Sequence, residues 1–312
     1  MRTVIVVGAG ATVAEALPTR PNQGAMPPLD STFFQLCSFA QLPGRELVKK
    51  YMMTTYGMDP LIGHHAMEEI FNHIHADAVS ANPSDECLDA YWALIRMYAE
   101  AIRTTTNELE GSSRNGVGAL LRHLFRSDPS GKLDFVTFNH DLVIERSLQR
   151  TVAMAKYSAI PWNLATCYRT EFAEFIHYGN RAIFSVDVSR PRPASTTVLK
   201  LHGSLNWVHP ARSATDRMNA TRNPVTRPLL QCNRTQPASM RYTPNQRSLP
   251  LLPLIVPPIY EKTPLYRKVL SPVWAAAEQR LTRAERLIIF GYSFPDADLA
   301  ARSLFPSLLP SQ

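Results

Sequence analysis

At 312 residues, with 45% hydrophobic and 19% charged residues, the chain has the make-up of a globular protein long enough to bury a sizeable core. Its net charge of +7 is unevenly placed, because seven arginines stand against one acid between 211 and 250; the remainder is close to neutral, which excludes a generally basic nucleic-acid binder. The apolar stretch at 4–7 is too short for a secretory leader, no run approaches a membrane helix, and Cys37, Cys87, Cys167 and Cys232 form no Cys-x-x-Cys pair, so a cytoplasmic protein without zinc ribbon or disulfide framework is expected.

Residues 2–7 are a β-branched run, and Gly8-Ala9-Gly10 opens a turn into a helix over 11–17. Such a turn lets backbone N–H groups approach a pyrophosphate at the positive end of the helix. Val13 stands where the third glycine of G-x-G-x-x-G would be, and no acid closes a regular βαβ unit, so a plain strand–helix turn is the competing reading. Pro18 ends the helix, a loop rich in Pro, Asn and Gly runs to Pro27-Pro28-Leu29-Asp30, and a helix is expected over 31–40.

Between 44 and 125 the periodicity becomes helical without clear strands, over 46–53, 64–79 and 85–105, with Ser84 placed to cap the third segment. His64, His65, His73 and His75 invite a metal reading. However, no H-E-x-x-H spacing occurs, and His73 and His75 cannot share a helix face, so packing or solvated histidines are expected.

The strand pattern resumes over 133–138 and ends in Asn139-His140-Asp141, before a helix over 142–150; Asn139 or Asp141 would also serve simply as its N-cap. Residues 157–178 are aromatic and irregular, and 183–188 suit an outer strand or hairpin arm. A short buried strand at 198–201 ends in His202-Gly203, where the glycine lets the backbone turn closely around a ligand. The arginine-rich excursion within 209–250 reads as a docking surface for nucleic acid or an acidic partner, or as a solvated loop, which its lone aromatic, Tyr242, favours. An apolar run at 251–256 precedes a helix over 272–279 with Pro272 in its first turn, a last strand at 286–290, the turn Gly291-Tyr292-Ser293 and a helical stretch at 299–304.

Four of these strands run into polar or glycine turns, the pattern of an open parallel sheet whose turns line one crevice. The expected fold is therefore α/β, a Rossmann-like parallel sheet (core 1–43 and 126–312) with a helical insertion at 44–125.

Taken together, Gly8-Ala9-Gly10 with Thr12, Asn139-His140-Asp141, His202-Gly203 and Gly291-Tyr292-Ser293 resemble the motifs of the sirtuin family in their order along the chain. The resemblance is closer to the prokaryotic sirtuin-like NAD-hydrolase branch of anti-phage defence than to the protein deacylases. Deacylases place four zinc-binding cysteines after His-Gly, whereas the arginine-rich excursion here holds only Cys232. Their Ser-Gly-Ile-Pro-Asp-Phe-Arg stretch is also missing, and residues 27–34 (PPLDSTFF) occupy its neighbourhood.

The resemblance implies NAD as substrate, no zinc, and cleavage of the nicotinamide–ribose bond to nicotinamide and ADP-ribose. It assigns His202 as base and Asn139 as the group that positions water. Gly8, Ala9, Gly10 and Thr12 would hold the pyrophosphate, helped by Gly291, Tyr292 and Ser293. Asp141 and Asp30 are placed toward the dinucleotide, and Asp296 and Asp298 could contact ribose hydroxyls or cap the last helix. It further implies a defence-system partner in trans (a sensor, an Argonaute-type protein or an ATPase) and a homo-oligomer. A deacylase and a non-catalytic NAD or ADP-ribose sensor are the alternatives. The chemistry is consistent on general grounds, since an oxocarbenium-like transition state needs a positioned water and a base that titrates near neutrality, in a dry pocket.

Overall fold

The strands over Thr3–Val7 (β1), Leu133–Thr137 (β2), Thr197–Lys200 (β4) and Arg286–Phe290 (β9) form one sheet in the order β4-β2-β1-β9, every pair parallel. The computed structural model that shows this describes residues 2–17, 26–27, 32–35, 42–62, 65–106, 109, 116–176, 193–210, 228–231, 241–242, 249–259, 264–294 and 299–305. All residues of β1, β2 and β4 are buried, which explains their apolar runs without strict alternation: a parallel sheet is covered on both faces. The chain steps outward from β1 to β2 to β4 and returns to place β9 on the far side of β1. The direction of winding therefore reverses between β1 and β9, and a crevice opens at the carboxyl ends of such a pair. The protein is α/β, with a Rossmann-like parallel sheet and helical insertions, as its strand pattern predicts.

A second sheet has no counterpart in the sequence reading. Glu174–Ile176 (β3), Gly203–Pro210 (β5), Leu229–Gln231 (β6), Arg241–Tyr242 (β7) and Leu249–Ile255 (β8) line up as β3-β6-β5-β8-β7. β5 runs antiparallel to both β6 and β8, with a register shift between Ser204 and Val208. The apolar run at 251–256 thus belongs to this sheet, and the chain leaves His202 straight into β5.

The described helices are Ala9–Ala16 (α1), Arg45–Tyr56 (α2), Met67–Ala78 (α3), Asp85–Thr106 (α4), Val117–Ser127 (α5), Val143–Val152 (α6), Leu164–Cys167 (α7), Pro264–Thr282 (α8) and Leu299–Ser303 (α9). The Ser84 hydroxyl accepts the Cys87 N–H at 3.1 Å, the cap its position predicts. The helix expected over 272–279 is longer. It begins at Pro264, and Pro272 lies inside it rather than in its first turn. Residues 183–188, expected as an outer strand, lie outside the described residues, as does most of 31–40.

Packing divides segment 44–125 into two parts. Leu121, Leu124 and Phe125 of α5 join the core of the parallel sheet. Side chains of α2, α3 and α4, among them Met52, Phe71 and Tyr91, form a second core that is closed by Leu252 and Ile255 of β8 and by Ile259. No described helix is long and apolar enough to cross a membrane.

Candidate functional site

The turns after β1 and β9 interlock. The Gly8 N–H donates to the Phe290 carbonyl at 3.1 Å and the Gly10 N–H to the Gly291 carbonyl at 2.9 Å. A Cβ on Gly8 would lie 2.5 Å from the Gly291 oxygen, and one on Gly291, whose φ is +65°, would lie 2.1 Å from the Ala11 nitrogen. Both glycines are therefore required by turn-on-turn packing before any ligand is considered. Gly10 spends its N–H on this contact, and Ala9 and Gly10 are exposed at the crevice. Thr12, one turn into α1, is buried.

The turn after β2 carries the densest set of bonds. Asn139 Nδ2 donates to the Gly8 carbonyl at 2.9 Å and to Thr12 Oγ1 at 3.0 Å. A carbonyl can only accept, so this pair fixes which end of the carboxamide is nitrogen. With both amide protons committed, the Asn139 oxygen is left as the polar atom able to meet a ligand or water. The Thr12 hydroxyl donates to Asp141 Oδ2 at 2.7 Å, and Asp141 Oδ1 accepts the Val143 N–H at 2.9 Å. Asp141 thus anchors Thr12 and holds the first N–H of α6, while the N-cap position falls on Leu142, which makes no side-chain cap bond, rather than on Asn139 or Asp141. Thr137 completes the link between β1 and β2, its hydroxyl donating to the Val7 carbonyl at 2.9 Å and accepting the Asn139 N–H at 3.1 Å.

His202 lies half-buried at the end of β4. The Val256 N–H donates to its carbonyl at 2.7 Å, which ties it to the end of β8. Its ring faces the edge of Phe138, with centroids 5.1 Å apart, and Phe138 stacks on Tyr292 at 4.6 Å and 13°. Trp274 of α8 approaches the His202 ring at 6.4 Å, held by an Nε1–H bond to the Leu201 carbonyl at 2.9 Å. His140, whose carbonyl accepts the Leu205 N–H at 3.0 Å, brings its ring to 6.1 Å from that of His202. Tyr98 of α4 also packs against the His140 ring at 5.5 Å, so the helical insertion reaches the site. An imidazole in an aromatic wall, at the end of the strand next to the one that leads into a fixed carboxamide, is an arrangement suited to moving a proton with restricted water access.

Beneath the Asn139–Asp141 turn is a group that the sequence reading missed. The Lys200 ammonium, with its side chain 1% exposed, donates to the carbonyls of Asn139 (3.2 Å) and Asp141 and lies 3.2 Å from Glu145 Oε1, whose side chain is fully buried. Tyr168 donates its hydroxyl to the same Glu145 oxygen at 3.0 Å and accepts from Asn206 Nδ2 at 3.1 Å. Burial pushes the Glu145 carboxyl above its ordinary pKa, and the Lys200 charge opposes that shift. Burial also pushes the Tyr168 hydroxyl well up, which keeps it a donor at neutral pH. The available signal was a lysine inside the apolar stretch 198–201, directly before His-Gly.

The structure thus brings Gly8, Ala9, Gly10, Thr12, Asn139, Asp141, His202, Gly291 and Tyr292 to the carboxyl end of the parallel sheet. Ser293 follows as an exposed residue. Asp30, Asp296, Asp298, His64, Cys232 and the segment 211–227 lie outside the described residues. Of the remaining insertion histidines, His65 pairs with Glu69 at 3.3 Å, His73 packs on Tyr56, and His75 is buried against Tyr91. No cluster of three or more His, Cys, Asp or Glu able to hold a metal occurs among the described residues. No protein-family model matches the chain, and no curated protein matches it in sequence.

Proposed function

We propose that the protein is a sirtuin-like NAD glycohydrolase. The observation that carries the reading is the bonding of the Asn139 carboxamide to Gly8 and Thr12, which ties a water-positioning group to the phosphate-type turn of β1, with His202 close by at the end of β4. NAD lies across the switch point between β1 and β9, its pyrophosphate toward α1 and its nicotinamide ribose toward Asn139. The C1′–N bond breaks, its electron pair stays on the nicotinamide ring nitrogen, and an oxocarbenium-like sugar forms. Water held by the Asn139 oxygen adds to C1′ and loses a proton to His202, giving nicotinamide, ADP-ribose and one proton. Phe138, Tyr292 and Trp274 limit the water that reaches the sugar. Asp141 acts from behind, through Thr12 and the start of α6.

The ordered set of four turns supports a role in NAD depletion, with activation by a separate defence-system protein. Purified protein incubated with NAD, alone and with candidate protein or nucleic-acid partners, tests this by product chromatography. Equal amounts of nicotinamide and ADP-ribose are expected. Consumption of an acetyl-lysine peptide with formation of O-acetyl-ADP-ribose would replace the reading with deacylation, and tight NAD binding with no product under every activator would replace it with sensing.

A further inference from the structure

We propose that Lys200 is a positioning residue that sets the geometry of both reacting groups; this rests on the NAD-cleaving reading above. Val198, Leu199 and Leu201 around it are fully buried, so an ammonium at this place is costly unless every proton finds an acceptor. It finds three: the Asn139 carbonyl, the Asp141 carbonyl and Glu145 Oε1. An ammonium has three protons, so the set is complete.

Two of these acceptors belong to the residues that flank His140. Their side chains are the carboxamide bonded to Gly8 and Thr12 and the carboxylate that anchors Thr12. Drawing both carbonyls to one point fixes the backbone of the turn and hence the direction of the Asn139 oxygen. Lys200 is also two residues from His202 on the same chain segment, so a single side chain registers the end of β2 against the end of β4. Hydrogen bonds between β2 and β4 pair Thr137 with Lys200, and the Leu201 N–H continues the ladder to the Thr137 carbonyl at 2.9 Å.

The charge is arranged in keeping with this role. The reaction develops positive charge on the sugar, and a lone buried cation beneath the turn would oppose it. Glu145 neutralises Lys200 at contact distance, and Tyr168 and Asn206 hold Glu145 in place.

The test uses the double variant Lys200→Met/Glu145→Gln, which removes both charges together and leaves Tyr168 an acceptor; such neutral replacement of a buried pair often preserves stability. Three readings are taken on the full chain with any partner it needs: thermal midpoint, NAD affinity by calorimetry, and kcat for nicotinamide release. The expected result is a folded protein with NAD affinity within about threefold of wild type and kcat lowered by roughly 10²-fold, the scale of a displaced reacting group. A folded double variant with wild-type kcat overturns the proposal while leaving the NAD-cleaving reading intact. Should the double variant not fold, Lys200→Arg keeps the charge and the donors but alters their reach. Loss of kcat at unchanged affinity then supports positioning, and wild-type kcat overturns it. Wild-type protein that neither binds nor cleaves NAD with any partner overturns the parent reading and this proposal together.

Discussion

At Gly291 a left-handed φ of +65° coincides with a backbone nitrogen, that of Ala11, 2.1 Å from where a Cβ would stand. Gly291→Ala is therefore expected to lower stability by at least about 2 kcal/mol, read from chemical denaturation, in addition to any effect on NAD. A variant as stable as wild type would show that the β1 and β9 turns do not interlock. The glycines, Asn139, Asp141 and His202 could be singled out in the sequence because each follows an apolar strand and is a residue type that turns or polar chemistry require. Their mutual bonds could not. That Thr12 bridges Asn139 and Asp141 depends on contacts across more than a hundred positions. Lys200 escaped for a related reason: a lysine in a short strand reads as a solvent-facing residue, and nothing near it in sequence announces Glu145 as its buried counter-charge.

Among the elements, β1, β2 and β4 of the parallel sheet were legible because burial on both faces gives dense apolar runs closed by turn residues, and the edge strand β9, only partly buried, was legible from its apolar run before Gly291. β5 and β8 were not legible as partners. Ser204 and Asn206 of β5 are as buried as Leu205 and Trp207, so its polar–apolar alternation does not separate a solvent face from a core face, and β8 contains Pro250 and Pro253, which lack the N–H a ladder needs. The register shift between Ser204 and Val208 accommodates this pairing. Helix boundaries were legible where a cap exists, as at Ser84, and failed at α8, where Pro264 rather than Pro272 opens the helix. One connection between elements is carried by a single side chain: buried Glu15 of α1 accepts the Val117 N–H at 2.8 Å, at the start of α5. Glu15→Ala leaves that donor unsatisfied and is expected to cost about 1–3 kcal/mol in urea denaturation. No measurable loss would mean that α5 does not depend on this bond.

Over the whole molecule, two cores meet at β8, and two buried histidines lie in the part built on the second sheet: His75 of α3 and His209 of β5, the latter packed against Trp92 of α4. Burial lowers the pKa of each to about 4 from an ordinary 6.5. The unfolded chain therefore binds more protons between these values, and stability is retained above about pH 6.5 and lost as pH falls toward 4. Each full shift corresponds to roughly 3 kcal/mol. His209→Phe should flatten the fall of the thermal midpoint over this window, and an unchanged slope would place His209 outside the buried core. That core in turn supports the site, because Tyr98 of α4 touches His140 and the His202 carbonyl is bonded to Val256, the residue after β8. The central claim is that this junction holds an NAD-cleaving pair, and it is tested most directly by the rate of nicotinamide release in His202→Ala and Asn139→Ala, measured under conditions where wild type is active. A fall of roughly 10²-fold or more in each, with the thermal midpoint retained, is the predicted result; near wild-type turnover in either folded variant would contradict it.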